Sequence, residues 1–103
     1  MADTIALTET TYYILLSLYR PLHGYGIMQR AAELSGGRVR LAAGTLYGAL
    51  NALVEKGWIT LLPGEGRKKE YRLTPMGLEI LKNELARLRE LVASGDLVLK
   101  EEA

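Results

Sequence analysis

The chain has 103 residues, 49% of them hydrophobic and 24% charged, with one His and no Cys. That composition belongs to one small globular domain, too short for a doubly wound nucleotide fold or a barrel enzyme. It lacks the thiols needed for disulfides, zinc fingers or thiolate chemistry, and the single His23 excludes a multi-histidine metal site. No run approaches the roughly 18 apolar residues of a membrane span, and no basic-then-apolar leader opens the chain. A cytoplasmic, non-enzymatic protein without metal, cofactor or membrane partner is expected. The net charge of +1 conceals an asymmetry. Residues 1–37 carry two bases against three acids, residues 38–73 seven bases against three acids (a net of +4), and residues 74–103 four bases against six acids. A basic middle third suits contact with a polyanion.

The ends, residues 1–5 and about 96–103, read as frayed. A first helix is predicted from Thr8, a good N-cap, to Arg20, where Pro21 stops it. Its apolar residues, among them Tyr12, Leu15, Leu16 and Tyr19, point almost all round the axis. A helix of that kind is buried on every side, and so small a chain needs a second copy to bury it. A second helix is predicted over Tyr25–Leu34, ended by Gly36-Gly37. His23 is expected to fix the start of that helix by hydrogen bonding. Arg38–Leu41 alternates polar and apolar residues, as a very short strand does. A third helix over Ala43–Lys56 places Leu46, Ala49, Leu50 and Leu53 at i, i+3, i+4 and i+7, facing the core. Trp58–Leu62 and Lys69–Leu73 read as strands around the turn residues of 63–66. Thr74 then caps, and Pro75 opens, a last helix. In it Leu78, Leu81, Leu85, Leu88 and Val92 recur at spacings of 3 and 4, a heptad seam. Glu79, Glu84 and Glu90 read as its solvated face.

The fold class implied is mainly α with a small β-hairpin wing. It is a winged helix-turn-helix over residues 1–74, followed by a C-terminal dimerisation helix and tail over 75–103. Such an arrangement offers the third helix to a major groove. Its first turn presents free N–H groups to phosphate. Thr45, Tyr47 and Asn51 are the side chains placed to reach base edges. Gly44 and Gly48 either admit the helix closely to the groove or permit tight packing within the protein, and Tyr47 is either a reader or a half-buried aromatic. Arg67, Lys68 and Lys69 at the wing tip are placed for phosphate contacts that position without reading sequence. Arg38 and Arg40 either join them or point to solvent, with Glu70 as a partner. Tyr25 either touches a phosphate through its hydroxyl or packs in the core.

Four stretches carry a further signal. They are Pro21-Leu22-His23-Gly24-Tyr25-Gly26-Ile27, Gly44-Thr45-Leu46-Tyr47-Gly48-Ala49-Leu50, Glu55-Lys56-Gly57-Trp58, and Tyr71-Arg72-Leu73-Thr74-Pro75-Met76-Gly77. In this order and spacing the sequence resembles the PadR family of transcriptional regulators, in its short form with a single C-terminal helix. One departure is Ala43, where such sequences commonly carry proline before Gly-Thr-Leu-Tyr. The resemblance implies a homodimer on a palindromic double-stranded DNA operator, probing the major groove with the third helix and pairing through the first and last helices. It also implies repression, and in some members release by a small aromatic or lipophilic effector near the dimer interface. Here Tyr12, Leu15, Leu16 and Tyr19 of the first helix, with Leu78, Leu81, Leu85, Leu88 and Val92 of the last, are the dimer and effector candidates. The space between them is either an aromatic-lined pocket or a filled core. The competing reading is a winged-helix protein-interaction module that does not bind DNA.

Overall fold

The computed structural model describes residues 5–64 and 69–101. It contains α1 (Glu9–Ser17), β1 (Leu22–His23), α2 (Gly24–Leu34), α3 (Ala43–Glu55), β2 (Ile59–Leu61), β3 (Glu70–Leu73) and α4 (Pro75–Lys100). The fold is a winged helix: mainly helical, with a three-stranded antiparallel sheet in the order β1-β3-β2.

Local chemistry sets the ends of these elements. Thr8 caps α1 through its hydroxyl, which accepts the Thr11 N–H at 3.1 Å, and Thr74 caps α4 by accepting the Gly77 N–H at 3.0 Å. Pro75 fills the first turn of α4, where its missing N–H costs nothing. Both α2 and α3 end in the same way. Gly36 and Gly57 take positive φ of 63° and 78°. After α2 the Gly37 N–H donates to the Ala32 carbonyl and the Gly36 N–H to that of Glu33. After α3 the Trp58 N–H donates to Leu53 and the Gly57 N–H to Val54. This paired bonding satisfies carbonyls that the helix itself leaves free, and only glycine takes the required conformation without strain. At the second of these ends the chain turns Trp58 back over Leu53, and both are buried in the core.

One core joins every helix to the sheet: Ile14, Leu15 and Leu18 after and within α1, Ile27 in α2, Leu46, Leu50 and Leu53 in α3, Trp58 and Ile59 at β2, and Leu81 in α4. Gly77 lets α4 approach closely, since a Cβ there would lie 1.9 Å from the Trp58 carbonyl oxygen. At the same junction the Thr74 N–H donates to that oxygen at 3.0 Å and the Thr74 hydroxyl donates to the Gly57 carbonyl.

Several sequence expectations are corrected. Arg38–Leu41 forms no strand. Val39 is buried instead, with its N–H donated to the Ser35 hydroxyl at 2.9 Å. The third strand comes from Leu22–His23, paired with Tyr71 and Glu70 of β3. His23 gives no side-chain cap to α2; its backbone serves in the sheet. The helix α1 ends at Ser17, before the residues next to Pro21. Within the single chain Ile14 and Leu15 of α1 are buried, while Tyr12, Tyr13 and Leu16 are half-buried. The stretch 96–100 is helical, the last turns of α4. Finally, Glu84 is 1% exposed rather than solvated. Its carboxylate accepts Arg87 Nε at 2.7 Å and Nη2 at 2.9 Å, and the Leu7 N–H at 3.1 Å. The Arg87 hydrogen bond, with help from Leu7, holds the Glu84 pKa below its usual value against the opposing effect of burial.

Candidate nucleic-acid interface

The helix α3 turns one face inward through Leu46, Leu50 and Leu53, all buried. Its other face, with Gly44, Thr45, Tyr47, Gly48, Asn51, Ala52 and Glu55, is exposed. A Cβ added at Gly44 or at Gly48 would meet nothing within 4 Å. These glycines therefore do not serve packing inside the chain. They leave a shallow helix surface flanked by the exposed Thr45 and Asn51. The start of α3 is also free. Ala42 stands at the N-cap with no side-chain hydrogen bond, and no acid lies in the first turn. The leading N–H groups and the positive end of the helix are thus available to an anion. The helix starts at Ala43 without the proline common at that place.

Tyr47 is differently placed. It is 43% exposed, but its ring end lies over the first residue of α2. A Cβ on Gly24 would come 2.2 Å from its Oη and 2.7 Å from its Cζ. Burial, and secondarily Tyr47, push the Tyr71 pKa above its usual value. Tyr47 and Gly24 were not legible as a pair in the sequence, since they come from two separate elements. The only hint is a glycine at the start of α2, where no turn demands one.

Around α3 the basic residues divide. Arg38 reaches Glu9 of α1, Nη2 to Oε2 at 2.9 Å, with both side chains largely exposed. Its expected partner Glu70 is not the one it takes. Arg40 lies beside Gly37, its Nη2 3.2 Å from where a Cβ would stand. It lines a small hollow with Tyr25, Gln29 and Leu41. Tyr25 is 61% exposed and so is not core. Lys69 is exposed next to β3, and Arg67 and Lys68 lie outside the described residues.

The dimer and effector candidates also separate. Leu15 and Leu81 belong to the chain's own core, which corrects their placement on a shared face: the early turns of α4 pack on α1 and β3 before the seam reaches open surface. Leu78 and Leu88 are half-buried, and Leu85 and Val92 are exposed. Beyond them Leu91, Leu97, Val98 and Leu99 are each more than half exposed. Within the single chain the candidates line separate hollows, one of them bordered by Leu16 and Tyr19 with Arg20, Leu22 and Arg30. Tyr19 and Leu78 border a cleft of about 510 Å³ with Leu18, Pro21, Leu73 and Arg72. Tyr12 and Leu88 border a second of about 300 Å³ with Tyr13, Glu84 and Arg87. No helix among the described residues is long and apolar enough to cross a membrane.

Known proteins share this architecture. The RosR protein of H. salinarum superposes with a TM-score of 0.70 at 25% identity, covering 93% of this chain and 99% of its own. A PadR family transcriptional regulator from Eggerthella lenta gives 0.69 at 25% identity, covering 85% and 79%. Bacillus subtilis PadR, solved in complex with operator DNA, gives 0.61 at 28% identity, covering 77% of this chain and 48% of that one. An uncharacterized 37.1 kDa protein in transposon TN4556 of Streptomyces fradiae is 44% identical over 64 residues. That match takes in 62% of this chain and only 18% of the transposon protein, so the chain spans less than a fifth of that relative's length. The profile of the transcriptional regulator PadR-like family matches residues 13–83. A match over well more than half of the sequence, joined to the winged-helix fold, places this chain in the PadR-like family of transcriptional regulators.

Proposed function

We propose that the chain acts as a homodimeric, sequence-specific DNA-binding repressor, with residues 1–74 reading DNA and 75–103 pairing the two copies. The observation that carries this reading is the outer face of α3. It is exposed, and empty beyond Gly44 and Gly48, with an uncapped N-terminus. In the proposed complex Thr45 and Asn51 meet base edges in the major groove, and Arg67, Lys68, Lys69 and Arg40 meet phosphates. The operator complex of the B. subtilis protein supports DNA as the partner. The apolar second half of α4 supports the dimer, because exposed apolar surface of that extent marks an interface. A small apolar or aromatic effector fits the hollows beside α1 and α4, and its seating would alter the spacing of the two reading heads.

Fluorescence anisotropy with random duplex across a salt series tests the reading. The expected result is affinity that falls linearly on a log–log plot with salt, followed by selection of a palindromic site from a random library. Absence of salt-dependent binding at low salt would overturn it in favour of a protein-interaction module.

A further inference from the structure

The backbone at Gly24 does not call for glycine. Among the described residues the positive φ values fall at Gly36, Gly37 and Gly57 alone, and Gly24 sits in ordinary helical geometry as the first residue of α2. What excludes a larger residue is space. A Cβ would stand 2.2, 2.7 and 3.2 Å from Oη, Cζ and Cε1 of Tyr47. Tyr47 lies two residues after Thr45 and four before Asn51, so it shares the Asn51 side of α3. Its ring is a rigid lever whose tip is held against the start of α2. Tyr47 thus touches α2 at the residue that directly follows β1, whose Leu22 pairs with Tyr71 of the central strand.

We propose that Gly24 is a positioning residue: it seats the Tyr47 ring and so fixes the pitch of α3 against α2, on which base reading by Thr45 and Asn51 depends. This rests on the DNA-binding reading above. Tyr47 then acts as a strut between helices and not as a reader of bases. A reading head held loosely by its supports is present but misaligned, so loss of the strut lowers discrimination between sequences more than it lowers phosphate-driven affinity.

The test is a cycle of Gly24→Ala, Tyr47→Leu and the double variant. For each, binding to the selected operator and to random duplex is measured alongside the melting temperature. The atoms blocking a Cβ at Gly24 are the far end of one side chain, so Gly24→Ala relieves its clash by swinging Tyr47 outward. It is expected to melt within a few degrees of the wild type. Its operator-to-random ratio is expected to fall by about tenfold, the order of one lost base contact. With Tyr47 already replaced, adding Gly24→Ala is expected to change the ratio by less than about twofold, because the two act through one contact. A wild-type protein that discriminates while Gly24→Ala discriminates equally well overturns the proposal alone. So does a Gly24→Ala loss of the same size in the Tyr47→Leu background, or a collapse of the Gly24→Ala fold. A wild-type protein that binds no duplex overturns the DNA-binding reading, and the proposal falls with it.

Discussion

Replacing Gly77 by alanine sets two physical effects against each other. In an exposed helix the change stabilises by about 1 kcal/mol, because glycine loses more backbone entropy on folding. Here the new Cβ would lie 1.9 Å from the Trp58 carbonyl oxygen and 2.8 Å from its carbon. Both are backbone atoms, and no rotamer change relieves the overlap. Bringing the contact from 1.9 Å to the 3.0 Å that real Cβ atoms respect requires a separation of about 1.1 Å. That movement strains the Thr74 N–H bond to Trp58 and the Thr74 hydroxyl bond to Gly57, each contributing about 1 kcal/mol net. Overpacking of this kind costs about 1–3 kcal/mol by itself. After subtracting the helix gain, Gly77→Ala is expected to destabilise by about 2–4 kcal/mol. At about 4–8 °C per kcal/mol for a chain of this size, the melting temperature should fall by about 8–30 °C. Circular dichroism melts of both proteins at one fixed concentration measure it, since self-association would otherwise shift the comparison. A melting temperature equal to or above the wild type would refute the close contact between α4 and the start of β2.

Gly48→Ala should do the opposite. With nothing within 4 Å, it is expected to stabilise by about 0.5–1 kcal/mol while weakening operator binding, which pairs a melt with an anisotropy titration. Glu84 gives a pH prediction. Its folded pKa is depressed, chiefly by the Arg87 hydrogen bond, so its contribution is complete above the usual carboxylate value and lost as pH falls through the lower folded one. Glu84→Gln should therefore melt lower than wild type at neutral pH and show a flatter decline with acid, measured by thermal melts over an acid series. Lys69→Ala should lower affinity equally for all duplexes and reduce the salt slope by about 1, and an unchanged slope would remove it from the phosphate contacts. Leu91→Glu, on a residue 55% exposed in the single chain, should raise the dimer dissociation constant at least about tenfold, or about 1.4 kcal/mol, by sedimentation.

Much of this protein follows from local sequence. Thr8 and Thr74 cap their helices, Pro75 opens α4, and Gly36 and Gly57 close α2 and α3, because each effect works within one turn of chain. The 3–4 spacing of Leu46, Leu50 and Leu53 determines which face of α3 turns inward. It thereby determines that Gly44, Thr45, Gly48 and Asn51 face out. Long-range partners are another matter. The alternation of Arg38–Leu41 suggests a strand, but Val39 is buried with its N–H on the Ser35 hydroxyl, and Leu22–His23 pairs with β3 instead. The heptad seam runs unbroken through Leu81 and Leu85, yet the fold buries the first in its own core and leaves the second exposed. Glu84 looks like one more charge on a polar helix until Arg87 and the Leu7 N–H, 77 positions away, close on its carboxylate. Gly24 and Tyr47 meet only because α2 and α3 converge. Sequence by itself determined the helices, their threonine and glycine caps and the inward face of the candidate reading helix, since those depend on residues a turn apart. Tertiary structure alone decided which strand completes the sheet, which acid is buried and what Tyr47 touches, since those depend on which distant segments share the same space.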